Sequence, residues 1–273
     1  MSAPDEASVR ASGQRAFRVL RAAGLTEGQL REALAAHRSA LKCGRGVLKD
    51  GVRTAVTRVD CGGACVCVKE YRNEEPLDWV KELLRGPRAC RAWRGGQHLA
   101  RKGVSIPELL AVVKQGGNTF LFTRYAEGAT PLDLLLANRF RRVLPVAELM
   151  AKRGLVRQLA LWLRGIHDRG VYHNDWSCKN ILAAERHEGW QFWLLDLESV
   201  SPRKRLTWRR RVKNLGQLAD TPAGISRTDR MRFLVAYAAG DASLARGRFP
   251  RAALAATRRR VEARERRLAN AWH

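Results

Sequence analysis

Three polar residues in the second half of the chain place the strongest constraint on its fold. Residues 173–180 read His-Asn-Asp-Trp-Ser-Cys-Lys-Asn, and residues 192–196 read Phe-Trp-Leu-Leu-Asp, an apolar strand that ends in a carboxylate. Phosphoryl transfer requires a carboxylate that accepts the hydroxyl proton and oxygen ligands that hold Mg²⁺ on the phosphates. Mg²⁺ keeps several waters and takes only one or two carboxylates from the protein. The sequence therefore predicts that Asp175 is the catalytic base, that Asn180 and Asp196 bind Mg²⁺, and that the fold brings the three together.

The spacing of these residues is typical of the catalytic loop of protein-kinase-like phosphotransferases, in which an Asn follows the catalytic Asp by five residues. That pattern also has a histidine two residues before the Asp, at the position of His173. We interpret His173 as a residue that supports the loop and not as a base. Ser177 stands where protein kinases have a lysine, which favours a small-molecule or sugar acceptor over a protein. Glu198 is either an additional metal ligand or an acid near a helix start.

An upstream strand contains the candidate residues for ATP binding. Residues 65–69 read Cys-Val-Cys-Val-Lys, an alternating segment that ends in a cation where the kinase pattern has its phosphate-binding lysine. Side chains alternate between the faces of a strand, so Cys67 shares a face with Lys69, and its small side chain is predicted to cover the adenine. A lone lysine at a strand end can also be merely solvated. The order of this segment and the two downstream motifs favours Lys69 as an ATP ligand.

Gly46 and Gly51 are candidates for backbone contacts with the phosphates. Together with Gly44 they flank an apolar stretch at the start of a predicted sheet. Their spacing, G-x-G-x-x-x-x-G, is longer than the G-x-G-x-x-G of the kinase glycine-rich loop.

The chain carries a formal net charge of +25, from 51 Lys and Arg residues against 26 acidic residues. Such an excess implies an anionic partner, which could be nucleic acid, an acidic membrane leaflet or a phosphorylated substrate, although part of it can reflect an Arg-rich composition. A basic cluster within residues 203–213 is predicted to hold acceptor phosphates, because Arg forks match phosphate oxygens. A second cluster, within residues 258–267, either contacts acidic lipid headgroups or is a solvated helix face.

The sequence contains no run of the roughly 18 apolar residues that a membrane span requires. Its six cysteines lack the paired C-x-x-C spacing of zinc sites, and Gly62-Gly63 predicts a hairpin turn among the cysteines at 61, 65 and 67. We therefore expect free thiols in a reducing, cytoplasmic compartment. Peripheral contact with an acidic membrane surface is left open.

The order of the predicted elements indicates an α+β, bilobal protein-kinase-like fold. Residues 1–41 are predicted to form a helical N-terminal extension with two short helices. Residues 42–126 are predicted to form an N-lobe with an antiparallel sheet, in which Pro87 separates two helices. Residues 127–273 are predicted to form a mainly helical C-lobe that ends in a basic helix. Residues 155–168 have the apolar period of a helix that leads the chain into the catalytic loop.

Flanking segments occur in the order found in one kinase family. They are Val-Lys-Glu-Tyr at 68–71, Arg-Ala-Trp-Arg at 91–94, Leu-Ala-Arg-Lys-Gly-Val at 99–104, His-Asn-Asp at 173–175, Asn-Ile-Leu at 180–182, Asp196 and Thr-Asp-Arg-Met-Arg-Phe-Leu-Val-Ala-Tyr at 228–237. This set resembles the lipopolysaccharide kinase (Kdo/WaaP) family over roughly residues 41–240. The resemblance implies an ATP- and Mg²⁺-dependent kinase that phosphorylates a heptose or Kdo hydroxyl of the lipid A-core at the cytoplasmic face of a Gram-negative inner membrane. Such an anionic lipopolysaccharide-type substrate agrees with the positive charge and is favoured over nucleic acid.

The chain also departs from the kinase pattern. Ala92 stands where some relatives carry the helix Glu that faces the strand lysine, so the acidic partner of Lys69 is left open among Glu74, Glu75 and Glu82. Two other functions stay open as well. One is a kinase-like phosphotransferase that acts on a protein or another small molecule, and the other is a pseudokinase that serves as a binding module.

Overall fold

The computed structural model describes residues 17–73, 85–140, 143–202, 205–220 and 224–270. The chain divides into two compact units. The first unit comprises Met1–Arg94 and Glu108–Tyr125, and the second comprises Gly95–Pro107 and Ala126–His273. Within the described ranges, no helix combines the length and the apolar character needed to span a membrane.

The described part of the first unit contains six strands, β1 (Phe17–Ala22), β2 (Val47–Gly51), β3 (Thr54–Cys61), β4 (Ala64–Tyr71), β5 (Leu109–Gln115) and β6 (Asn118–Arg124). They form one antiparallel sheet in the order β1-β5-β6-β4-β3-β2. The predicted turn between β3 and β4 is confirmed. It lies at Gly62 and Gly63, whose φ angles of 54° and 79° suit the two-residue turns that join antiparallel strands.

Helix α1 (Glu27–Cys43) covers one face of this sheet. It begins at a capping box in which Thr26 and Gln29 exchange hydrogen bonds, and it ends at Gly44 in the left-handed conformation. Buried Leu30 and Leu34 of α1 belong to the core cluster that also contains Val66, Val68 and Phe122 of the sheet. The alternation of β4 therefore turns its odd-numbered residues away from α1.

The sequence predicted two short helices in the N-terminal extension, and the prediction of the first of them is wrong. Residues 17–22 form strand β1, which pairs with β5, and α1 is the only helix among the described residues of this extension. Phe17 and Val19 alternate along β1 and pack against the sheet core, so the chain gains more by completing the sheet than by forming a short helix. Residues 7–16 lie outside the described residues.

Helix α2 (Arg88–Arg101) begins directly after Pro87, in agreement with the predicted boundary. A helix predicted upstream of Pro87 falls largely on residues 74–84, which lie outside the described residues. Ala92 of α2 is completely buried.

Within the described ranges, the second unit contains six further α-helices and five short strands. The helices are α3 (Leu132–Arg139), α4 (Val146–Asp168), α5 (Trp208–Leu218), α6 (Arg227–Ala238), α7 (Ala242–Ala245) and α8 (Arg248–Asn270). The strands are β7 (Thr130–Pro131), β8 (Val171–His173), β9 (Ile181–Arg186), β10 (Gly189–Leu194) and β11 (Val200–Pro202). They form two small antiparallel sheets, β10-β9-β7 and β11-β8. The mainly helical character predicted for this part of the chain is confirmed.

Helix α4 delivers the chain to the predicted catalytic loop. Its buried face contains Leu155, Leu159, Leu163 and Ile166, which confirms the period read from the sequence. Gly170 follows the helix with a positive φ of 74° and turns the chain into β8.

Candidate active site

Asp175 and Asp196 each lie just beyond the end of a short strand in the second unit. β8 ends at His173, and the chain then passes through Asp175 into a 3₁₀ turn at Cys178–Asn180. β10 ends at Leu194, and Asp196 follows two residues later. Side chains at strand ends are exposed enough to react and yet are fixed by the sheet behind them.

His173 connects these two segments. Its Nδ1 lies 3.2 Å from the backbone nitrogen of Asp175, and its Nε2 lies 3.1 Å from the backbone oxygen of Asp196. Nδ1 must accept from an N–H, so the proton is on Nε2, which donates to the carbonyl of Asp196. Burial lowers the pKa of His173, which keeps the ring neutral in this arrangement. The imidazole therefore supports the loop, as the sequence suggested, and does not serve as a base.

Asn180 holds Asp175 and is tied to the segment before Asp196. Its Nδ2 donates to the backbone oxygen of Asp175 at 3.0 Å and to Oδ2 of the same residue at 3.1 Å. Its backbone oxygen accepts from the N–H of Leu195 at 2.8 Å. The structure thus brings Asp175, Asn180 and Asp196 together, although their chemical roles stay predictions.

Asp196 has an unusual backbone. With φ 54° and ψ 54° it is the non-glycine residue with a positive φ in the described part of the chain. Strain of this kind costs about 1–3 kcal/mol and is often found at functional sites. Ser199 Oγ donates to Asp196 Oδ2 at 2.7 Å and thereby fixes the carboxylate.

The oxygen donors of this site fit Mg²⁺. Asn180 uses its amide nitrogen toward Asp175, which leaves its Oδ1 as an oxygen donor, and Asp196 supplies a carboxylate. A hard ion that takes few protein ligands prefers donors of this type. Glu198 lies in the following 3₁₀ turn, and its role as a further ligand stays a prediction.

Helix α5 contributes supporting residues that the sequence analysis missed. Asn214 Nδ2 donates to the backbone oxygen of His173 at 2.8 Å, and Gln217 Nε2 donates to the backbone oxygen of Asn174 at 2.7 Å. Asn214 Oδ1 lies 3.2 Å from Nε2 of buried His167, whose pKa burial lowers to about 3. The spacing of Asn214 and Gln217 puts both on one helix face, which was the available signal.

Lys69 lies in the first unit, on strand β4. Its strand neighbours are Val56 and Leu121, and its Nζ is 4.8 Å from the centre of the Tyr71 ring. Lys69 and Cys67 share the sheet face opposite α1, as their alternation predicted. Burial raises the pKa of the Cys67 thiol to about 11, so it is a neutral, weakly polar surface. The proposed partners Glu74, Glu75 and Glu82 lie outside the described residues.

Glu70, next to Lys69 in sequence, belongs to a separate network on the other face of the strand. It accepts from Asn118 at 2.7 Å and from Arg72 at 3.1 Å, and it lies 3.5 Å from His37. Burial raises the pKa of Glu70, but the hydrogen bonds from His37, Asn118 and Arg72 outweigh it and lower the value to about 2. The Glu70 carboxylate therefore links the sheet to α1 through His37.

Gly46 and Gly51 lie at opposite ends of strand β2, so the structure separates these two predicted residues. Gly46 has a φ of 75°, and a Cβ there would come within 2.6 Å of the Arg58 carbonyl oxygen, which gives a structural reason for glycine. Gly51 adjoins the turn into β3 and pairs with Thr54. Contact between either glycine and a phosphate stays a prediction.

The basic cluster after Asp196 is partly structural. Arg211 Nη2 donates to Asp168 at 2.8 Å, and Arg211 Nη1 donates to the hydroxyl of Tyr237 at 3.3 Å. The guanidinium of Arg211 thus joins α5 to α4 and α6, and the role of the cluster in holding acceptor phosphates stays a prediction. Arg203 and Lys204 lie outside the described residues.

Gly95 of α2 is in close contact with the segment that follows Asp196. A Cβ at this position would overlap the carbonyl oxygen of Leu197. The helix can therefore approach this backbone only because residue 95 has no side chain.

Gly95→Ala is expected to lower both stability and activity. The added methyl group forces α2 and the Leu197 segment apart, at a cost of about 1–3 kcal/mol in the free energy of unfolding, and moves Asp196 from its position. Denaturant unfolding and the phosphorylation rate measure the two effects. Gly117→Ala is the control, because a Cβ at Gly117 meets no atom within 4 Å. Equal behaviour of the two variants would show that the close contact imposes no constraint.

Comparison with known proteins places this geometry in a family. The model of the lipopolysaccharide kinase (Kdo/WaaP) family matches residues 48–237, which include strands β3 to β6 of the first unit and the loop with Asp175. Two curated proteins of Haemophilus influenzae, from strains PittEE and Rd, are similar to this chain. Each is a 3-deoxy-D-manno-octulosonic acid kinase that is 27% identical to it over 128 residues, which are 45% of this chain. The matched part is 48% of each relative, so the chain spans about half the length of the curated relatives that it matches.

A solved structure with a similar fold is described as WaaP in complex with acyl carrier protein. It is 21% identical in sequence, has a TM-score of 0.57, and the match covers 89% of this chain and 99% of that chain. This similarity confirms the predicted kinase-like fold. The resemblance drawn from the sequence motifs is likewise confirmed by the family match.

Proposed function

The chain belongs to the lipopolysaccharide kinase (Kdo/WaaP) family, and on this premise we propose that it transfers the γ-phosphoryl group of ATP to a sugar hydroxyl of the lipopolysaccharide core. The curated relatives are named as kinases of 3-deoxy-D-manno-octulosonic acid, so Kdo is the first acceptor sugar and heptose the second. The observation that carries the proposal is the hydrogen-bonded arrangement of Asp175, Asn180 and Asp196 around His173.

In the proposed mechanism, Asp175 accepts the proton of the attacking hydroxyl. Its carboxylate is exposed, so an acceptor can reach it, and the amide of Asn180 holds one of its oxygens in place. Neutral His173 fixes the loop without competing for the proton. A base positioned in this way contributes a factor of about 10²–10⁴ to the rate.

The remaining predicted residues have binding roles in this proposal. Mg²⁺, when bound, neutralises charge on the phosphates, and Asn180 Oδ1 with the Asp196 carboxylate would hold it. Lys69 pairs with the α- and β-phosphates, and Cys67 covers the adenine. The backbone near Gly51, at the β2–β3 turn, contacts the phosphates.

We also propose that the reaction takes place at the cytoplasmic face of the inner membrane, where a lipid-linked core would be presented. The support is chemical, because a net charge of +25 favours contact with an anionic surface or substrate. This contact would be peripheral.

Incubation of the purified protein with ATP, Mg²⁺ and a Kdo-terminated lipid A acceptor tests the proposed activity. The expected product is heavier by one phosphoryl group, as measured by mass spectrometry, and a heptose-terminated acceptor tests the second candidate. A generic peptide mixture is the control acceptor. Phosphorylated peptides with unmodified lipopolysaccharide acceptors would favour a protein kinase, and nucleotide binding without transfer to any acceptor would favour a pseudokinase.

A further inference from the structure

An open pocket lies beside Asp175 in the second unit. Its volume is about 520 Å³, within the range of small-molecule sites. The pocket is lined by Asp133, Asp175, Ser177, Lys179, Gln217, Asp220, Arg260, Arg264 and Arg267. The predicted base therefore shares a cavity with three arginines of the C-terminal helix, which are more than 80 positions away in the sequence.

The three arginines continue the inward face of helix α8. The first half of this face is buried and contains Phe249, Ala253 and Thr257. Arg260, Arg264 and Arg267 follow at spacings of three and four residues, and residues at these spacings lie on the same face of a helix. They therefore lie on the same helix face as the buried half, and there they line the open pocket, with Arg264 half-buried and Arg260 and Arg267 exposed.

A close contact between α8 and α5 fixes this face beside the catalytic loop. A Cβ at Gly216 of α5 would lie 3.2 Å from the Cβ of Ala256 in α8, so the two helices touch there. Gln217, the next residue of α5, donates to the backbone oxygen of Asn174 in the loop. The position of α8 relative to Asp175 is therefore set by packing within one unit.

The charges in the pocket are only partly balanced by protein groups. Arg267 donates to Asp220 at 3.0 Å. In the part of the chain that the structure describes, Arg260, Arg264 and Lys179 form no ion pair. On the opposite side of α8, Arg258 is paired with Glu262 at 2.6 Å. The charges of Arg267 and Asp220 cancel each other. The remaining cations of the pocket, Arg260, Arg264 and Lys179, outnumber its two remaining carboxylates, so a net positive charge lies beside the predicted base.

We propose that Arg260 and Arg264 bind an anionic group of the acceptor and so place its hydroxyl at Asp175. This inference rests on the proposed function and adds a binding site to it. The anionic group is a carboxylate or a phosphate, since guanidinium forks bind both through paired hydrogen bonds. An acid sugar would supply a carboxylate, and a phosphorylated lipid headgroup would supply a phosphate. The pocket gives these arginines a role other than contact with acidic lipid headgroups or exposure on a solvated helix face.

The test uses the double variant R260Q/R264Q with R259Q/R266Q as its control. Arg259 and Arg266 are exposed on the same helix, do not line the pocket, and lose the same charge when replaced. We expect the pocket variant to raise the KM for the acceptor at least tenfold, with kcat and the KM for ATP within twofold of the wild type. The control variant is expected to match the wild type in all three. Thermal unfolding of both variants checks that the helix is intact.

Acceptor chemistry and direct binding separate the possible outcomes. Two modified acceptors show which anion the arginines bind: one has its sugar carboxylate esterified, and the other lacks the lipid phosphates. The acceptor KM of wild type and R260Q/R264Q should become equal when the anion that the arginines bind is removed. Binding of the acceptor without ATP, measured by calorimetry, tests the site independently of phosphoryl transfer.

If the wild type and the control variant bind the acceptor and R260Q/R264Q does not, the site is supported even when no phosphoryl transfer occurs. An unchanged acceptor KM in an active R260Q/R264Q enzyme overturns it and leaves the proposed function standing, and a wild type that binds no acceptor overturns it as well.

Discussion

Asp175→Asn is expected to lower kcat by about 10²–10⁴-fold, the contribution of a positioned general base. The substitution keeps the size and shape of the side chain and an oxygen that can accept from Asn180, which donates to Asp175 at 3.1 Å. It removes the negative charge that takes the hydroxyl proton. The loop should remain folded, because His173 and Asn180 contact the backbone of residue 175 and not only its side chain. Rates of acceptor phosphorylation at saturating substrates measure the effect.

Nucleotide affinity separates this loss of chemistry from a loss of binding. The proposed ATP ligands Lys69 and Cys67 are unchanged in Asp175→Asn, so the dissociation constant for ATP should stay within a few-fold of the wild type. Glu188→Gln is a matched control, because it removes an exposed carboxylate from a turn of the same unit. A kcat for Asp175→Asn close to that of Glu188→Gln would show that another group accepts the proton.

Local patterns in the sequence are sufficient to identify the candidate residues at the centre of the site. The segment from His173 to Asn180 and the strand that ends before Asp196 carry the residue types that phosphoryl transfer needs. The role of His173 could also be predicted, since its place two residues before Asp175 suits a ring that contacts both segments. The proximity of these residues could be inferred because each motif lies within a short stretch of chain, while their chemical roles stay predictions.

Features that depend on distant packing could not be predicted in the same way. The apolar residues of β1 fit both the helical period and the strand period over six positions, and only the pairing with β5 decides in favour of the strand. Asn214 and Gln217 reach the catalytic loop from a helix some 40 residues away, as their hydrogen bonds to the backbones of His173 and Asn174 show. The proximity of Arg264 to Asp175 could not be predicted either, because it depends on how the basic helix α8 packs on α5.

Asp196→Asn is the other substitution for which a large effect is expected. A bound metal ion stabilises the negative charge of the transition state by several kcal/mol. The loss of one charged metal ligand should therefore lower kcat by roughly 10²–10³-fold at ordinary Mg²⁺ concentrations. It should also raise the Mg²⁺ concentration at half-maximal activity by about tenfold or more. Titration of the phosphorylation rate with Mg²⁺ measures both quantities.

The backbone of Asp196 makes this substitution a clean test of charge. Residue 196 has φ 54°, a left-handed conformation that Asn adopts at least as readily as Asp, and the Asn side-chain oxygen can still accept from Ser199 Oγ. The variant should therefore unfold at the same temperature as the wild type or slightly above it. Ser199→Ala, which removes the hydrogen bond and keeps the carboxylate, should change the Mg²⁺ requirement much less. If Asp196→Asn leaves the Mg²⁺ titration unchanged while the protein stays folded, Asp196 does not bind the metal, and its backbone strain requires another explanation.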